Sequence, residues 1–174
     1  LKKKEISLIK EMDQEQEMIS SYKEGMIALE KGDTFYAAQK FLEAELLYPQ
    51  SEWASKSALM ASYAYYLQDF FSKSLFNLER FLKTYKGDPK ENYAHYLIAM
   101  CYYELIVDEK TDLSSLVNAK NKFQYVINNF PESDFASDSK YKIDLINDIL
   151  ASKEMYIGRH YIKKQKWIAA INRF

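Results

Sequence analysis

Ala37-Ala38-Gln39-Lys40-Phe41-Leu42-Glu43-Ala44-Glu45-Leu46-Leu47-Tyr48-Pro49 is the stretch that decides the fold. Within it Ala37, Phe41, Ala44 and Pro49 stand at offsets 0, 4, 7 and 12, and Ala119, Phe123, Val126 and Pro131 repeat those offsets with the same kinds of residue. Ala170 and Phe174 begin a third copy. Apolar residues at i, i+4 and i+7 line one face of a helix, and a proline beyond them stops it because it has no N–H to donate. Twelve residues before Ala37 lies Gly25, and twelve before Ala170 lies Gly158. Ser62 stands twelve before Ser74, and Ala99 occupies the corresponding part of the third repeat. Two helices approach to about 8–10 Å only where small side chains meet. Gly25, Ser62, Ala99 and Gly158 on first helices are therefore paired with Ala37, Ser74, Ala119 and Ala170 on second helices, with Phe41, Leu78, Phe123 and Phe174 filling the space one turn further on.

Working outward, the punctuation agrees. Pro49, Pro89 and Pro131 close second helices, Gly87 stands just before Pro89, and Gly32-Asp33 makes the tight turn of the first repeat. With 4 glycines and 3 prolines in 174 residues, turn residues run at about a third of average usage, which excludes a sandwich or barrel built on many tight turns. The pattern predicts helices over 11–31, 34–47, 51–68, 71–85, 90–107, 113–129, 133–165 and 167–174. The seventh is either one helix of about 45 Å or two meeting near Ala151-Ser152. The polar residues 1–15 either fray or extend the first helix, and Val107 to Asp112 reads as a polar connection.

Composition narrows the function classes. Lys and Arg number 24 against 25 Asp and Glu, a net charge of −1, so no excess of positive charge awaits phosphates and nucleic acid is not the expected ligand. A protein or peptide partner is the better reading. Cys101 is alone, and His95 and His160 fall in different repeats, which leaves no set of residues for a metal cluster, a cofactor or a Cys–His nucleophile. Acidic pairs such as Asp144 with Asp148 stand at helical spacing and read as solvated faces. Four scattered glycines build neither a phosphate loop nor a nucleophile elbow, so no enzyme is expected. No run approaches the ~18 apolar residues of a membrane span. Lys2-Lys3-Lys4 reads as the tail of a tether, and Ala170 to Phe174 breaks off in mid-pattern, as in a piece of a longer chain.

The small-residue, alanine, aromatic and proline pattern resembles the tetratricopeptide repeat, here as an all-α solenoid of about four repeats, at 18–50, 51–89, 90–131 and 133–174. Intervals of 37, 45 and 51 residues between Ala37, Ser74, Ala119 and Ala170 mean that loops or helices have been lengthened. The linkers are more specific. Tyr48-Pro49-Gln50-Ser51-Glu52-Trp53-Ala54 and Phe130-Pro131-Glu132-Ser133-Asp134-Phe135-Ala136 share aromatic-Pro-x-Ser-x-aromatic-Ala. With Tyr63-Ala64-Tyr65-Tyr66, Arg80-Phe81-Leu82 and Trp167 to Arg173, this wording resembles the BamD (ComL, YfiO) family of outer-membrane assembly lipoproteins over residues 20–174.

The resemblance implies a periplasmic scaffold at the outer membrane, held by lipid on an N-terminal cysteine. The implied partners are a BamA-like barrel protein, through its periplasmic domain, the C-terminal segments of unfolded outer-membrane proteins, and other assembly lipoproteins. The sequence departs from that family in lacking the lipid-bearing cysteine, since Cys101 lies mid-helix, and the last repeat. Counting along the first helices places Tyr22, Met26 and Leu29, then Leu59, Tyr63 and Tyr66, then Tyr93, Tyr96, Met100 and Tyr103 on the concave face, where rings and hydroxyls suit an extended peptide. The same residues also suit plain packing between repeats. Trp167, Asn172 and Arg173 form the expected docking end, with Arg173 in the family's Asn-Arg position. A different cell-envelope tetratricopeptide adaptor remains the alternative. A cytoplasmic co-chaperone ranks below it, because a clamp on acidic C-terminal peptides needs basic residues where this face has aromatics.

Overall fold

The computed structural model describes residues 2–106 and 113–174, with side chains from residue 12 onward. The polar connection expected from Val107 to Asp112 lies outside the described residues. The described elements are all helical: α1 (Lys2–Glu30), α2 (Thr34–Leu47), α3 (Glu52–Tyr66), α4 (Phe71–Thr84), α5 (Glu91–Glu104), α6 (Leu113–Asn129), α7 (Asp134–Lys163) and α8 (Trp167–Ile171). Helix α1 begins at Lys2, so the polar N-terminal residues extend it. Helix α7 is one uninterrupted element of 30 residues, which settles the choice the sequence left open near Ala151-Ser152.

The chain forms two compact units, Leu1–Cys101 and Tyr102–Phe174. In the first, α1 packs on α2, α2 on α3 and α3 on α4. Phe41, Leu78 and Phe81 are fully buried there, as are Ser62 and Ser74. Each unit is thus a run of neighbouring helix hairpins, the organisation of a helical repeat. In the second unit α6 and α8 both pack on α7, around buried Leu116, Ala119, Phe123, Val126 and Ile146. The length of α7 accounts for the long interval before the last repeat: its first part meets α6, where Lys120 Nζ donates to Asn147 Oδ1 at 2.8 Å, and its last turns carry α8.

Three hairpin turns share one backbone solution. After α1, the Asp33 N–H donates to Ala28 O and the Gly32 N–H to Leu29 O. After α3, Phe70 donates to Tyr65 O and Asp69 to Tyr66 O, and after α7, Lys166 donates to Tyr161 O and Gln165 to Ile162 O. These paired bonds close the last carbonyls of each helix around one left-handed residue, with φ of 80° at Gly32, 59° at Asp69 and 56° at Gln165. Glycine is the natural occupant, and only the first turn has it; Asp69 and Gln165 hold the same geometry at a small steric cost.

The two linker motifs are also one structure. Ser51 Oγ donates to Tyr48 O at 2.9 Å and Ser133 Oγ to Phe130 O at 2.7 Å. Their carbonyls then accept from Ala54 and Ala136 at the start of α3 and α7. The serine thus ties the end of one repeat to the beginning of the next, which is why the linker wording recurs more faithfully than the helices do.

Small residues act at the close approaches. In the second repeat Ser74 Oγ donates to Ser62 O at 2.9 Å, Ser62 Oγ donates to Ala58 O at 2.9 Å, and Cys101 Sγ lies 3.5 Å from Ser74 Oγ. Serine here is a small residue whose hydroxyl is satisfied inside the contact. At the two glycines the tightest neighbour is the aromatic ring rather than the alanine one turn earlier. A Cβ on Gly25 would stand 2.8 Å from the Phe41 ring, and one on Gly158 would stand 2.7 Å from the Phe174 ring.

One charged group lies in the core of the first unit. Glu45, its side chain 6% exposed, accepts from Arg80 Nη1 and Nη2 at 2.6 Å each and from the Tyr85 hydroxyl at 2.7 Å. This joins the C-terminal turn of α2 to that of α4. Burial, followed by the Glu45 carboxylate, pushes the Tyr85 phenol above its usual range, and the hydrogen bond to Glu45 raises the Arg80 guanidinium further. At the other end of the same helix pair, Lys73 Nζ sits 5.2–5.5 Å from the centres of the Phe70, Phe35 and Tyr65 rings, and Phe35 and Phe70 meet edge to face at 6.5 Å. These cation–π contacts tie the N-terminal ends of α2 and α4, as the Glu45 carboxylate ties their C-terminal ends.

Candidate functional site

The residues expected on the first-helix face fall in both units. Tyr22, Met26, Tyr63, Tyr66, Tyr93, Tyr96 and Met100 belong to the first unit and Tyr103 to the second. Tyr22 is a core residue: it is buried, with its ring 5.3 Å from Phe41 and 5.1 Å from Trp53. Met26 is half-buried against the core of the first repeat. Tyr63, Tyr66, Tyr93, Tyr96, Met100 and Tyr103 are half-buried, rings partly sunk and partly in reach of solvent.

Tyr63 on α3 lies within electrostatic range of the Tyr93 phenol on α5. Burial first, and Tyr63 second, push the Tyr93 hydroxyl well above the usual phenol range; burial raises Tyr22 and Tyr103 as well. These three phenols are therefore neutral hydrogen-bond donors across the physiological range. Tyr66 packs on Phe71 with centroids 5.8 Å apart. In the second unit the Tyr103 ring meets Phe123 at 6.2 Å and carries Lys142 Nζ 4.7 Å from its centre.

Two residues beside this set escaped the sequence count. Trp53 is 40% exposed and edge-on to Tyr22, and Lys56 Nζ stands 4.5 Å from the Trp53 centroid and 5.3 Å from that of Tyr22. The signal was present: Trp53 is the second aromatic of the linker motif, and Lys56 follows it by three positions, on the same helix face.

The expected docking end lies in the second unit. Trp167, Ile168, Ile171 and Phe174 are 60%, 80%, 71% and 62% exposed, so four large apolar side chains within eight residues face solvent, beside exposed Asn172. Arg173 Nη1 donates to Glu154 Oε2 at 2.9 Å, with the two side chains 43% and 42% exposed. Phe174 lies over Gly158, one turn beyond Glu154 on α7. The sequence reading placed Arg173 without its carboxylate partner, because Glu154 looks like one more surface acid on a long polar helix.

Elsewhere, Cys101 is buried and His160 is exposed. Among the described residues no group of three or more His, Cys, Asp or Glu side chains is placed to hold a metal ion, and no helix is long and apolar enough to cross a membrane.

Residues 14–174 match the YfiO family, described as outer membrane lipoprotein. The chain is 39% identical over 153 residues to a Caulobacter vibrioides protein named outer membrane protein assembly factor BamD, a match covering 88% of this chain and 50% of the relative. Proteins of the same name from Rickettsia prowazekii and Neisseria gonorrhoeae are 40% identical over 153 residues and 29% over 162. Those matches cover 88% and 87% of this chain and 61% of each relative. The chain thus spans half to about three fifths of the length of these relatives.

Proposed function

The chain belongs to the YfiO family of outer membrane lipoproteins, and on that footing we propose that it is a non-catalytic scaffold and peptide-recognition part of the machinery that assembles outer-membrane proteins. Its place is the periplasmic face of the outer membrane, reached through a lipid anchor carried by the whole protein. The observation that carries the peptide-binding half is the set of half-buried tyrosines along α3 and α5, Tyr63, Tyr66, Tyr93 and Tyr96, each with part of its ring in reach of solvent.

An extended segment from the C-terminus of an unfolded barrel protein has apolar and aromatic side chains on one face and unpaired backbone N–H and C=O groups along its edges. Neutral phenols can donate to those carbonyls while rings and methionines receive the side chains. Tyr63, Tyr66, Tyr93, Tyr96, Met26 and Met100 are the contact residues in this reading; Tyr22 supports them from the core. The α8 end, with Trp167, Asn172 and Arg173, docks on the periplasmic domain of a BamA-like barrel protein. Holding substrate on one surface and the insertion partner on another raises the effective concentration of one near the other. Other assembly lipoproteins complete the partner set.

Replacing Tyr63 and Tyr66 together by alanine should weaken binding of a peptide from the last strand of a barrel protein at least about tenfold, as expected for losing two aromatic anchors. Fluorescence anisotropy with a labelled peptide measures this, with helical content and melting temperature recorded for the same variant. An unchanged affinity in a folded double variant would remove the groove from the account.

A further inference from the structure

We infer that Glu154 is the positioning residue for Arg173 at the docking end, an inference that rests on the partner contact proposed above. Glu154 and Gly158 are one turn apart on α7 and receive two successive residues of the following segment. Glu154 accepts from the Arg173 guanidinium, and Gly158 lies under the Phe174 ring. The Phe174 ring rests on Gly158 with most of its surface in solvent, and the bond to Glu154 is what directs the guanidinium.

The geometry of the pair decides what remains for a partner. A carboxylate binds a guanidinium in two parallel bonds along one of its edges. Glu154 takes Nη1 with a single bond at 2.9 Å, which leaves the edge formed by Nε and Nη2 for a second carboxylate. Both side chains keep more than two fifths of their surface in solvent, so a partner acid can reach that edge without breaking the internal bond. An exposed ion pair adds little to stability. Its consequence here is orientation, because a long, rotamer-rich side chain is ordered before the partner arrives and less freedom is lost on docking.

The test uses the full-length protein and the purified periplasmic domains of the barrel-forming partner, with association and dissociation rates followed by surface plasmon resonance. Glu154→Ala should speed dissociation about three- to fivefold. Glu154→Gln, whose amide oxygen still accepts from Nη1, should restore most of the loss. In an Arg173→Ala background, Glu154→Ala should have no further effect. Unchanged or slower dissociation in Glu154→Ala would overturn the inference, the slower case marking Glu154 as a competitor for Arg173. An equal loss in the Arg173→Ala background would also overturn it, by showing that Glu154 acts through helix packing. If Arg173→Ala alone binds as tightly as the parent, the docking reading itself falls, and this inference with it.

Discussion

Arg80→Ala is expected to lower the stability of the protein by about 3 kcal/mol, the largest loss from any single substitution considered for this chain. The reason is what the substitution leaves behind. Glu45 is 5% exposed, and Arg80 supplies two of the three hydrogen bonds its carboxylate accepts. Without the guanidinium, a buried negative charge retains only the Tyr85 hydroxyl. The figure sits at the low end of the range for breaking a buried pair because the Arg80 side chain is 34% exposed and part of its attraction is screened. Glu45→Ala should cost less, since the orphaned Arg80 can turn toward water. A double Glu45→Leu, Arg80→Met variant should recover much of the loss, as apolar replacements of ion pairs commonly do. Urea denaturation of the four proteins measures the series. Equal losses from the two single variants would show that packing, rather than an abandoned charge, is what Arg80 provides.

Gly25→Ala should destabilise by about 1 kcal/mol, the clash less the gain in helix propensity, whereas the same change at Gly158 should be close to neutral. An added methyl meets an aromatic ring at 2.8 Å in one case and 2.7 Å in the other, so distance alone does not separate them. The rings differ in freedom. Phe41 is fully buried and packed at a tilt against Tyr22, so it moves only by disturbing the core, at a cost of about 1–3 kcal/mol. Phe174 is 62% exposed and can swing aside. Both substitutions gain about 1 kcal/mol of helix propensity, which offsets part of the clash at Gly25 and nearly all of it at Gly158. Phe41→Leu in the Gly25→Ala background should recover some stability by making room. Thermal melts of the single and double variants check this, and a Gly25→Ala protein as stable as its parent would mean that the ring and glycine are not locked together.

Most of the helical layout was legible because punctuation and periodicity coincide in this sequence. Gly32, Pro49, Pro89 and Pro131 mark the breaks, and the stripe Ala37, Phe41, Ala44 recurs intact at Ala119, Phe123, Val126. Helix α7 stayed ambiguous because it is unusually long and carries no glycine or proline near Ala151-Ser152 to say whether two helices meet there. Gly158, read from its spacing as a contact residue, lies under the Phe174 ring. The turns at Asp69 and Gln165 carry no glycine signal, since the left-handed residue there is one that merely tolerates the conformation.

The sites were less legible than the fold. Glu45 stands four residues after Phe41, on the stripe the helix buries, and a carboxylate in that register signals a charged partner nearby. A search for apolar positions passes over it. The tyrosine count along the first helices set out the candidates but could not sort them. Which rings are core, like Tyr22, and which are half-buried, like Tyr63, depends on neighbours such as Trp53 that arrive from another helix.

The central claim is that this chain serves outer-membrane protein assembly as a scaffold docked on a barrel-forming partner. Affinity capture from detergent-solubilised outer membranes with the full-length protein, followed by mass spectrometry, tests it most directly. The account predicts recovery of a barrel protein carrying periplasmic repeat domains, lost when Arg173 is changed to Glu. Recovery of a different envelope complex, or of the barrel protein undiminished by Arg173→Glu, would contradict it.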